Sequence, residues 1–479
     1  MCTTILVGNK ATADGSFLVA RNADSDPLKA QHMVVHPERR GQKGMYRTKD
    51  FGGATAFEYP LPKHSLRYTT VPNWKTGLHG GVGFNSAGVG VTATESIFAR
   101  DDALKLDPYN KENGITEDDI PDIILSRAKT ARAGIELLGS IIEEIGAGEG
   151  FGIAVADSSE VWYLETGTGH QWMAQKLPEG VYFASANQGR LQDYRKDDPN
   201  VMGSANLVEW AEEHGFYDPH KDGEFNFSKA YTRDDFRDRV YNDPRVFQIM
   251  KSFTPALKLQ VSEGRKFPVF GKPEKPLTLE DVKAMQRDHF QTGSLKDHDP
   301  YTNGLNGDEP YRPVSVFRCY ESHVMQIRPD LPEAIAKVTY IAFGMSDLGV
   351  YIPFYYGLKS FPKEFSLGTD KADSYSAYWR FRKLQTFAMT DYPRFAPVVK
   401  EAYEKWEAET AEYMKEFEKT YLKVAKKHPK RAKALLQEFN TLIIRDAELL
   451  TEDILNELFT MQTVKIQETV PCKNNKKKD

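Results

Sequence analysis

Met1-Cys2-Thr3-Thr4-Ile5-Leu6-Val7 opens the chain, and Ala13-Asp14-Gly15-Ser16-Phe17-Leu18-Val19-Ala20-Arg21-Asn22-Ala23-Asp24 follows shortly after it. Thr3 to Val7 is β-branched and apolar and predicts a strand. Ala13 to Ser16 carries turn chemistry, and Phe17 to Ala20 predicts a second strand. Together they predict a hairpin, with Arg21 to Asp24 at the end of its second strand. If Met1 is removed, Cys2 carries a thiol and a free α-amine on the same residue. An α-amine has a reference pKa of about 7.7–8.0, so a neutral fraction exists near pH 7. It can take the thiol proton, and thiolate is the reactive form of cysteine.

The rest of the chain bounds what such a nucleophile would serve. Its 479 residues suffice for one large or two ordinary domains. A net charge of -5 gives no reason to expect nucleic acid as a partner. The three cysteines, Cys2, Cys319 and Cys472, are too few and odd in number for a disulfide framework, and fit a reducing compartment. The opening lacks the basic region of a secretory leader, and no apolar run approaches a membrane span. A cytoplasmic protein with no membrane partner is the expectation.

Gly80 to Thr92 predicts a second hairpin, turning at Asn85-Ser86-Ala87-Gly88. A β-branched run follows these glycines, so they do not read as a dinucleotide fingerprint. Thr116-Glu117-Asp118-Asp119 resembles a helix cap, and helical spacing runs from Ile120 to about Ile145, as two helices or one kinked helix. Strands are predicted at Phe151–Ala156, Val161–Glu165, Gln171–Ala174 and Val181–Asn187. A short helix is predicted at Ser204–His214. Residues 262–278 and 290–313 read as loops. Strand signals return at Val314–Cys319, His323–Ile327, Val338–Phe343 and Gly349–Tyr356. Residues 372–461 are helical and heavily charged, and the basic tail after them reads as disordered. Strands, a helix pair, strands and terminal helices imply antiparallel sheets covered by helices, an α+β class.

Four segments line up with Cys2: Ala20-Arg21-Asn22-Ala23-Asp24, Gly83-Phe84-Asn85, Ala186-Asn187-Gln188-Gly189-Arg190 and Asp243-Pro244-Arg245. Gln286-Arg287-Asp288-His289 and Arg318-Cys319-Tyr320-Glu321-Ser322-His323-Val324 extend the pattern. With Met-Cys-Thr-Thr at the start, the chain resembles the N-terminal-nucleophile hydrolases related to penicillin V acylase and bile salt hydrolase, in their bacterial dipeptidase branch. The resemblance covers about residues 2–360. It implies a four-layer αββα sandwich of two antiparallel sheets as a catalytic domain over 2–365. A helical extension over 366–465 and a disordered tail over 466–479 complete the organisation.

The resemblance also implies roles. Cys2 attacks an amide carbonyl, Arg21 favours its thiolate, and Asp24 (with Asp26 as competitor) holds the α-amine. Asn187 gives its side-chain amide and Asn85 its backbone N–H to the oxyanion, and Arg245 supports the site on a loose local match. The activity implied is dipeptide hydrolysis through a thioester, with small peptides as partners and neither cofactor nor metal. A homo-oligomer is compatible. An acylase acting on a penicillin or bile-salt amide, or a non-catalytic binding protein keeping the fold, are the alternatives. A dipeptide brings a free ammonium and a free carboxylate, and Glu95, Arg190, Glu321 and His323 are conceivable partners for them. Cys319 lies in an apolar pattern and reads as a buried thiol rather than half of a Cys–His pair. Cys319 and His323 have metal-like spacing, but no second cluster completes a ligand set.

Overall fold

The computed structural model describes residues 2–48, 56–75, 77, 80–92, 95–301 and 311–469, with the side chain of Glu95 excepted. Met1, Cys472 and the tail from 470 lie outside them, as does part of the loop expected over 290–313.

The expected first hairpin is present as strands Cys2–Val7 and Phe17–Asp24. Asp14 shapes its turn, accepting hydrogen bonds from the Ser16 amide at 3.1 Å and hydroxyl at 2.6 Å. Both strands are buried along their whole length. That explains why they read as continuous apolar runs with little alternation.

The hairpin sits inside a seven-stranded sheet, here sheet 1. Its order is Phe270–Gly271, Tyr182–Ser185, Cys2–Val7, Phe17–Asp24, Cys319–Ile327, Lys337–Phe343 and Ile352–Tyr355. A second seven-stranded sheet, sheet 2, runs Val201–Gly203, Trp172–Lys176, Val161–Thr166, Phe151–Ala156, Gly90–Val91 and Gly83–Phe84. Glu95–Ser96 also pairs with Phe151–Ala156. Every pairing in the two sheets is antiparallel.

Side-chain alternation on sheet 2 defines the layers. Ala154, Ala156, Val161, Tyr163 and Met173 pack into one core with the residues of sheet 1. Ile153, Val155, Trp162, Leu164, Trp172 and Ala174 pack into a second core with helices Ile120–Leu125 and Ala131–Glu144. The predicted 120–145 run is therefore two helices. Thr130 caps the second, accepting from the Ala133 amide at 3.1 Å. Gly139 lets that helix press against the sheet: a Cβ there would stand 2.1 Å from the Trp172 ring. On the outer face of sheet 1, Asn22 donates to the Gln286 carbonyl of helix Leu279–Gln286, at 2.8 Å. On that side Tyr182 donates to the Met250 carbonyl of helix Asp243–Phe253, at 3.4 Å. Helix, sheet, sheet and helix stack in the expected order.

The C-terminal helices, Ala377–Ala388, Tyr392–Lys427 and Pro429–Thr469, share the sheet 1 core. Asn440 donates to the Pro353 carbonyl at 2.6 Å and accepts from the Tyr355 amide at 3.3 Å. Its amide thus occupies backbone groups of the edge strand Ile352–Tyr355, which protects that edge. A buried polar knot pins the helix Tyr392–Lys427 to the loop after Gln286. His289 meets Asp299 at 2.8 Å, while Lys400 and Tyr392 each reach Asp347 at 2.6 Å.

Several expectations change. The last helix continues to Thr469, so residues 466–469 are helical rather than part of a disordered tail. Val314 to Arg318 is irregular, and the strand begins at Cys319, whose amide closes a turn onto the Val316 carbonyl. Helix Asp243–Phe253 was not foreseen, although Pro244 in its first turn and apolar residues at 246, 247, 249, 250 and 253 are helix signals.

Candidate active site

Register places the site. Cys2 lies opposite Ala23, and Ala23 lies opposite Glu321 on the next strand. Arg21, two residues before Ala23, lies opposite His323. Directly opposed residues point to one face, so Cys2, Arg21, Glu321 and His323 all face sheet 2. Gln188 and Asn187 follow the strand Tyr182–Ser185, which borders Cys2 on the other side.

Cys2 is 3% exposed, and Arg21, Asn187 and Arg245 are fully buried. Arg21 Nη2 stands 2.6 Å from Cys2 Sγ. Burial opposes the charge on Arg21, but Cys2, Tyr320, Glu117 and Glu321 outweigh it and hold the guanidinium above its ordinary value. A permanent cation at this distance stabilises thiolate over thiol.

The Cys2 nitrogen donates to Asn187 Oδ1 at 3.2 Å. Arg245 fixes that oxygen from the other side, with Nη2 at 3.0 Å, and donates through Nη1 to the Cys2 carbonyl at 2.6 Å and Thr3 Oγ1 at 2.9 Å. Asn242 joins both: it accepts from Arg245 Nη2 at 2.8 Å and donates to the Asn187 carbonyl at 2.9 Å. Asn187 Nδ2 donates to the Ser96 carbonyl at 3.0 Å. Two donors on one end of the amide and a carbonyl at the other fix its orientation. The weakest sequence match, Arg245, is thus directly bonded to the nucleophile's own backbone.

Both residues expected at the oxyanion already have partners. Asn187 was expected to offer Nδ2 to an oxyanion; here it holds the Cys2 nitrogen through Oδ1 and Ser96 through Nδ2. The second hydrogen of Nδ2 is what it has left for an oxyanion. Asn85 is a turn residue. Its backbone N–H donates to the Val89 carbonyl at 2.9 Å. Its side chain ties Leu125 and Ala128 at 3.0 and 2.7 Å and accepts from Ala87 and Val89 at 3.0 and 3.1 Å. The turn is also remote. Gly90 pairs with Ala156, and Ser96 with Phe151 at the other end of that strand, about 16 Å away at ~3.3 Å per residue. Asn85 is not an oxyanion donor in this structure.

Asp24, expected at the α-amine, is ion-paired with Arg312 Nη2. Arg312 also donates to Thr3 Oγ1 at 3.3 Å, which links Asp24 to the residue after the nucleophile. Asp26 accepts from the Leu28 amide at 2.9 Å and shapes a turn. Arg312 and Asn242 escaped sequence reading. Arg312 follows a long aperiodic loop, and Asn242 reads only as a residue ahead of Asp243-Pro244. Tyr241 organises the cations, with Arg245, Arg312 and Arg318 centred 5.0, 5.4 and 5.9 Å from its ring.

Of the residues considered for the substrate's charged ends, Arg190 is structural. Its guanidinium donates to the Ala184 and Pro268 carbonyls at 3.3 and 2.6 Å, and burial pushes it down to about 10. Glu321 accepts from His323 Nδ1 through Oε1 at 2.8 Å, and His323 Nε2 meets Thr92 Oγ1 at 2.8 Å. Cys319 donates to the Glu321 carbonyl at 3.3 Å, and burial pushes its thiol well up. Because the His323 ring is committed to Glu321 and Thr92, no Cys319–His323 couple forms.

The sequence model of "Peptidase family C69" matches residues 1–405. The chain belongs to peptidase family C69. This C69 peptidase is 49% identical over 363 residues to a "Probable dipeptidase" of Salmonella dublin, covering 75% of this chain and 82% of that protein. A "Probable dipeptidase" of Latilactobacillus sakei is 32% identical over 399 residues, 82% of each chain. A "Dipeptidase" of Bifidobacterium longum (strain NCC 2705) is 32% identical over 414 residues, 80% of this chain and 76% of that one. Among solved structures, penicillin V acylase from Agrobacterium tumefaciens aligns with a TM-score of 0.32 at 11% identity, over 74% of this chain and 85% of its own. The four-layer assignment of the C69 chain is carried by its own sheets. Among the described residues, no helix is long and apolar enough to cross a membrane.

Proposed function

We propose that this protein is a dipeptidase in which Cys2, exposed as the N-terminal residue by loss of Met1, is the nucleophile. The observation that carries this reading is the pairing of two contacts on one residue: Arg21 Nη2 at 2.6 Å from Sγ, and Asn187 Oδ1 at 3.2 Å from the nitrogen. The dipeptidase names of the relatives supply the substrate class. Two free, buried thiols, Cys2 and Cys319, accord with a reducing, cytoplasmic setting.

A neutral α-amine has two hydrogens and one lone pair. With one hydrogen on Asn187 Oδ1, the lone pair is left to take the thiol proton. The thiolate then forms a C–S bond with the scissile carbonyl carbon, and the carbonyl π pair moves onto oxygen. Collapse of this oxyanion breaks the C–N bond, and the ammonium of Cys2 returns its proton to the departing amine. For deacylation the amine takes a proton from water, hydroxide adds to the thioester carbonyl, and the C–S bond breaks to release the acid. Arg21 lowers the cost of the thiolate at both ends of the cycle and disfavours a resting protonated amine. Arg245, bonded to the Cys2 carbonyl and to Asn187, holds amine and sulfur in fixed relation, and pre-set geometry of this kind supplies much of a rate enhancement.

The test is a dipeptide hydrolysis panel on protein whose loss of Met1 is confirmed by intact mass. Cys2→Ala is expected to abolish hydrolysis with an unchanged melting temperature. Full activity in that variant, or in protein retaining Met1, would overturn the assignment.

A further inference from the structure

A dipeptidase must recognise the free ammonium of its substrate, and one carboxylate oxygen beside the nucleophile stands ready for it. Glu321 is 1% exposed, and its Oε2 has no hydrogen-bond partner among the described residues. A buried carboxylate oxygen without a donor is costly, by roughly 1–3 kcal/mol or more. The rest of the side chain is fully engaged. His323 Nδ1 holds Oε1 at 2.8 Å, and Thr92 holds the far side of the imidazole at 2.8 Å. That chain of three buried residues fixes Oε1 and so limits how far the carboxylate can turn on the inner face of sheet 1.

Its placement fits a substrate ammonium. Cys2, Ala23 and Glu321 form one row across three adjacent strands, with side chains on one face. The outer two are about 10 Å apart at ~4.8 Å per strand. Between them Ala23 offers only a methyl group, and the Arg21 and Tyr320 side chains both lie near enough to feel Cys2 and Glu321. In a dipeptide the α-nitrogen is two bonds from the scissile carbon. With that carbon at attack distance from sulfur and a charge-assisted hydrogen bond at the other end, the path from Sγ to the acceptor is about 8 Å. An ammonium brings three donors, and Oε2 lacks one. Arg21 lies nearby, but Glu117 and Glu321 both act on it, so an incoming ammonium meets anions as well as that guanidinium.

We propose that Glu321 is the specificity residue that receives the free α-ammonium of the substrate's first residue, set across Ala23 from the nucleophile and held in place by His323 and Thr92. This inference rests on the dipeptidase reading above. It predicts which substrates are refused: an acyl group with no α-ammonium leaves Oε2 unpaired and loses the corresponding transition-state contact.

The experiment compares kcat/KM for a free dipeptide, the same dipeptide N-acetylated, and its des-amino analogue, in wild type, Glu321→Gln and Glu321→Asp. Wild type is expected to favour the free dipeptide strongly. Glu321→Gln is expected to lower kcat/KM for the free dipeptide about 10- to 100-fold, the range for losing one charged hydrogen bond, with little change for the des-amino analogue. Glu321→Asp keeps the charge in a shorter side chain, is the safer variant for folding, and should fall between. An unchanged preference in Glu321→Gln or Glu321→Asp overturns the role of Glu321 while leaving Cys2 chemistry intact. A wild-type protein with no dipeptide hydrolysis, by contrast, overturns the dipeptidase reading itself.

Discussion

Sheet 1 and sheet 2 have the same number of strands and face each other across one core, but they bury different things. The inner face of sheet 1 carries Cys2, Arg21, Glu321 and His323. The inner face of sheet 2 answers with Ala154, Ala156, Val161, Tyr163 and Met173. Among the described residues, it also gives the site the Thr92 hydroxyl and the Ser96 carbonyl, and Glu165 on the same face accepts from the Arg190 and Leu191 amides. The difference teaches that the chemistry sits on one wall, and the other wall makes it strong. Apolar cover lowers the local dielectric, which strengthens each charge contact on sheet 1 and raises the cost of any left unpaired.

If that division is right, substitutions on sheet 1 should change rates, and substitutions on sheet 2 should change stability. Arg21→Met is the hardest test. Removing the guanidinium that stands 2.6 Å from Sγ takes away the cation that stabilises the thiolate, so kcat/KM near neutral pH should fall by about one to three orders of magnitude. Alkylation of Cys2 by iodoacetamide at neutral pH should slow as well. A variant that only melts earlier, with an unchanged alkylation rate, would break the comparison.

Asn85→Ala probes the opposite wall. Its side chain makes four hydrogen bonds: two join the Gly83–Val91 hairpin to Leu125 and Ala128 of the helix pair and its connector, and two close its own turn. Stability should drop by about 1–3 kcal/mol through the groups left unsatisfied, measured by urea denaturation, while kcat stays within about twofold. A large loss of kcat in folded protein would restore Asn85 to the reaction.

The smallest effect concerns Glu149, at the entry to the strand Phe151–Ala156. Burial and the neighbouring Glu117 push its carboxyl up to about 8, against 4.5 ordinarily. The native state then holds a proton that the unfolded chain releases between those values. Stability from this group is present at low pH and is lost as pH rises through the folded value. The melting temperature should fall by a few degrees from pH 5 to 8, and Glu149→Gln should flatten the fall. An equal slope in the variant would remove Glu149 as its source.

The same contrast explains what could be read in advance. The first hairpin was legible because Asp14 and Gly15 supply local turn chemistry and the strands carry β-branched residues. Cys2, Arg21 and Asn187 were legible through motifs around them. Roles were harder than positions. Asn85 and Asn187 both sit in short polar motifs at strand ends. Only partners distant in sequence separate a turn former from a residue holding the nucleophile's nitrogen. Arg245 reaches Cys2 across 243 positions, and Arg312 reaches Thr3 across 309. No local pattern records such contacts. Glu321 is one of several candidates for the substrate's charged ends in the sequence, and only the row Cys2–Ala23–Glu321 sets it two strands from the nucleophile on the same face.

That row also sets a clock. The strand that completes the neighbourhood of the first hairpin lies far downstream: Ser322 bonds Asn22 across 300 positions. At ~5–20 residues per second, a ribosome takes on the order of 15–60 s to cover that distance. Until then the opening of the nascent chain has no finished sheet to enter, and afterwards Cys2 is 3% exposed. The knot of His289, Asp347, Tyr392 and Lys400 closes later still. An aminopeptidase that is to free the Cys2 nitrogen therefore works against a deadline imposed by topology. Slow codons between the first hairpin and Cys319 would lengthen its window, and fast refolding of full-length protein would shorten it.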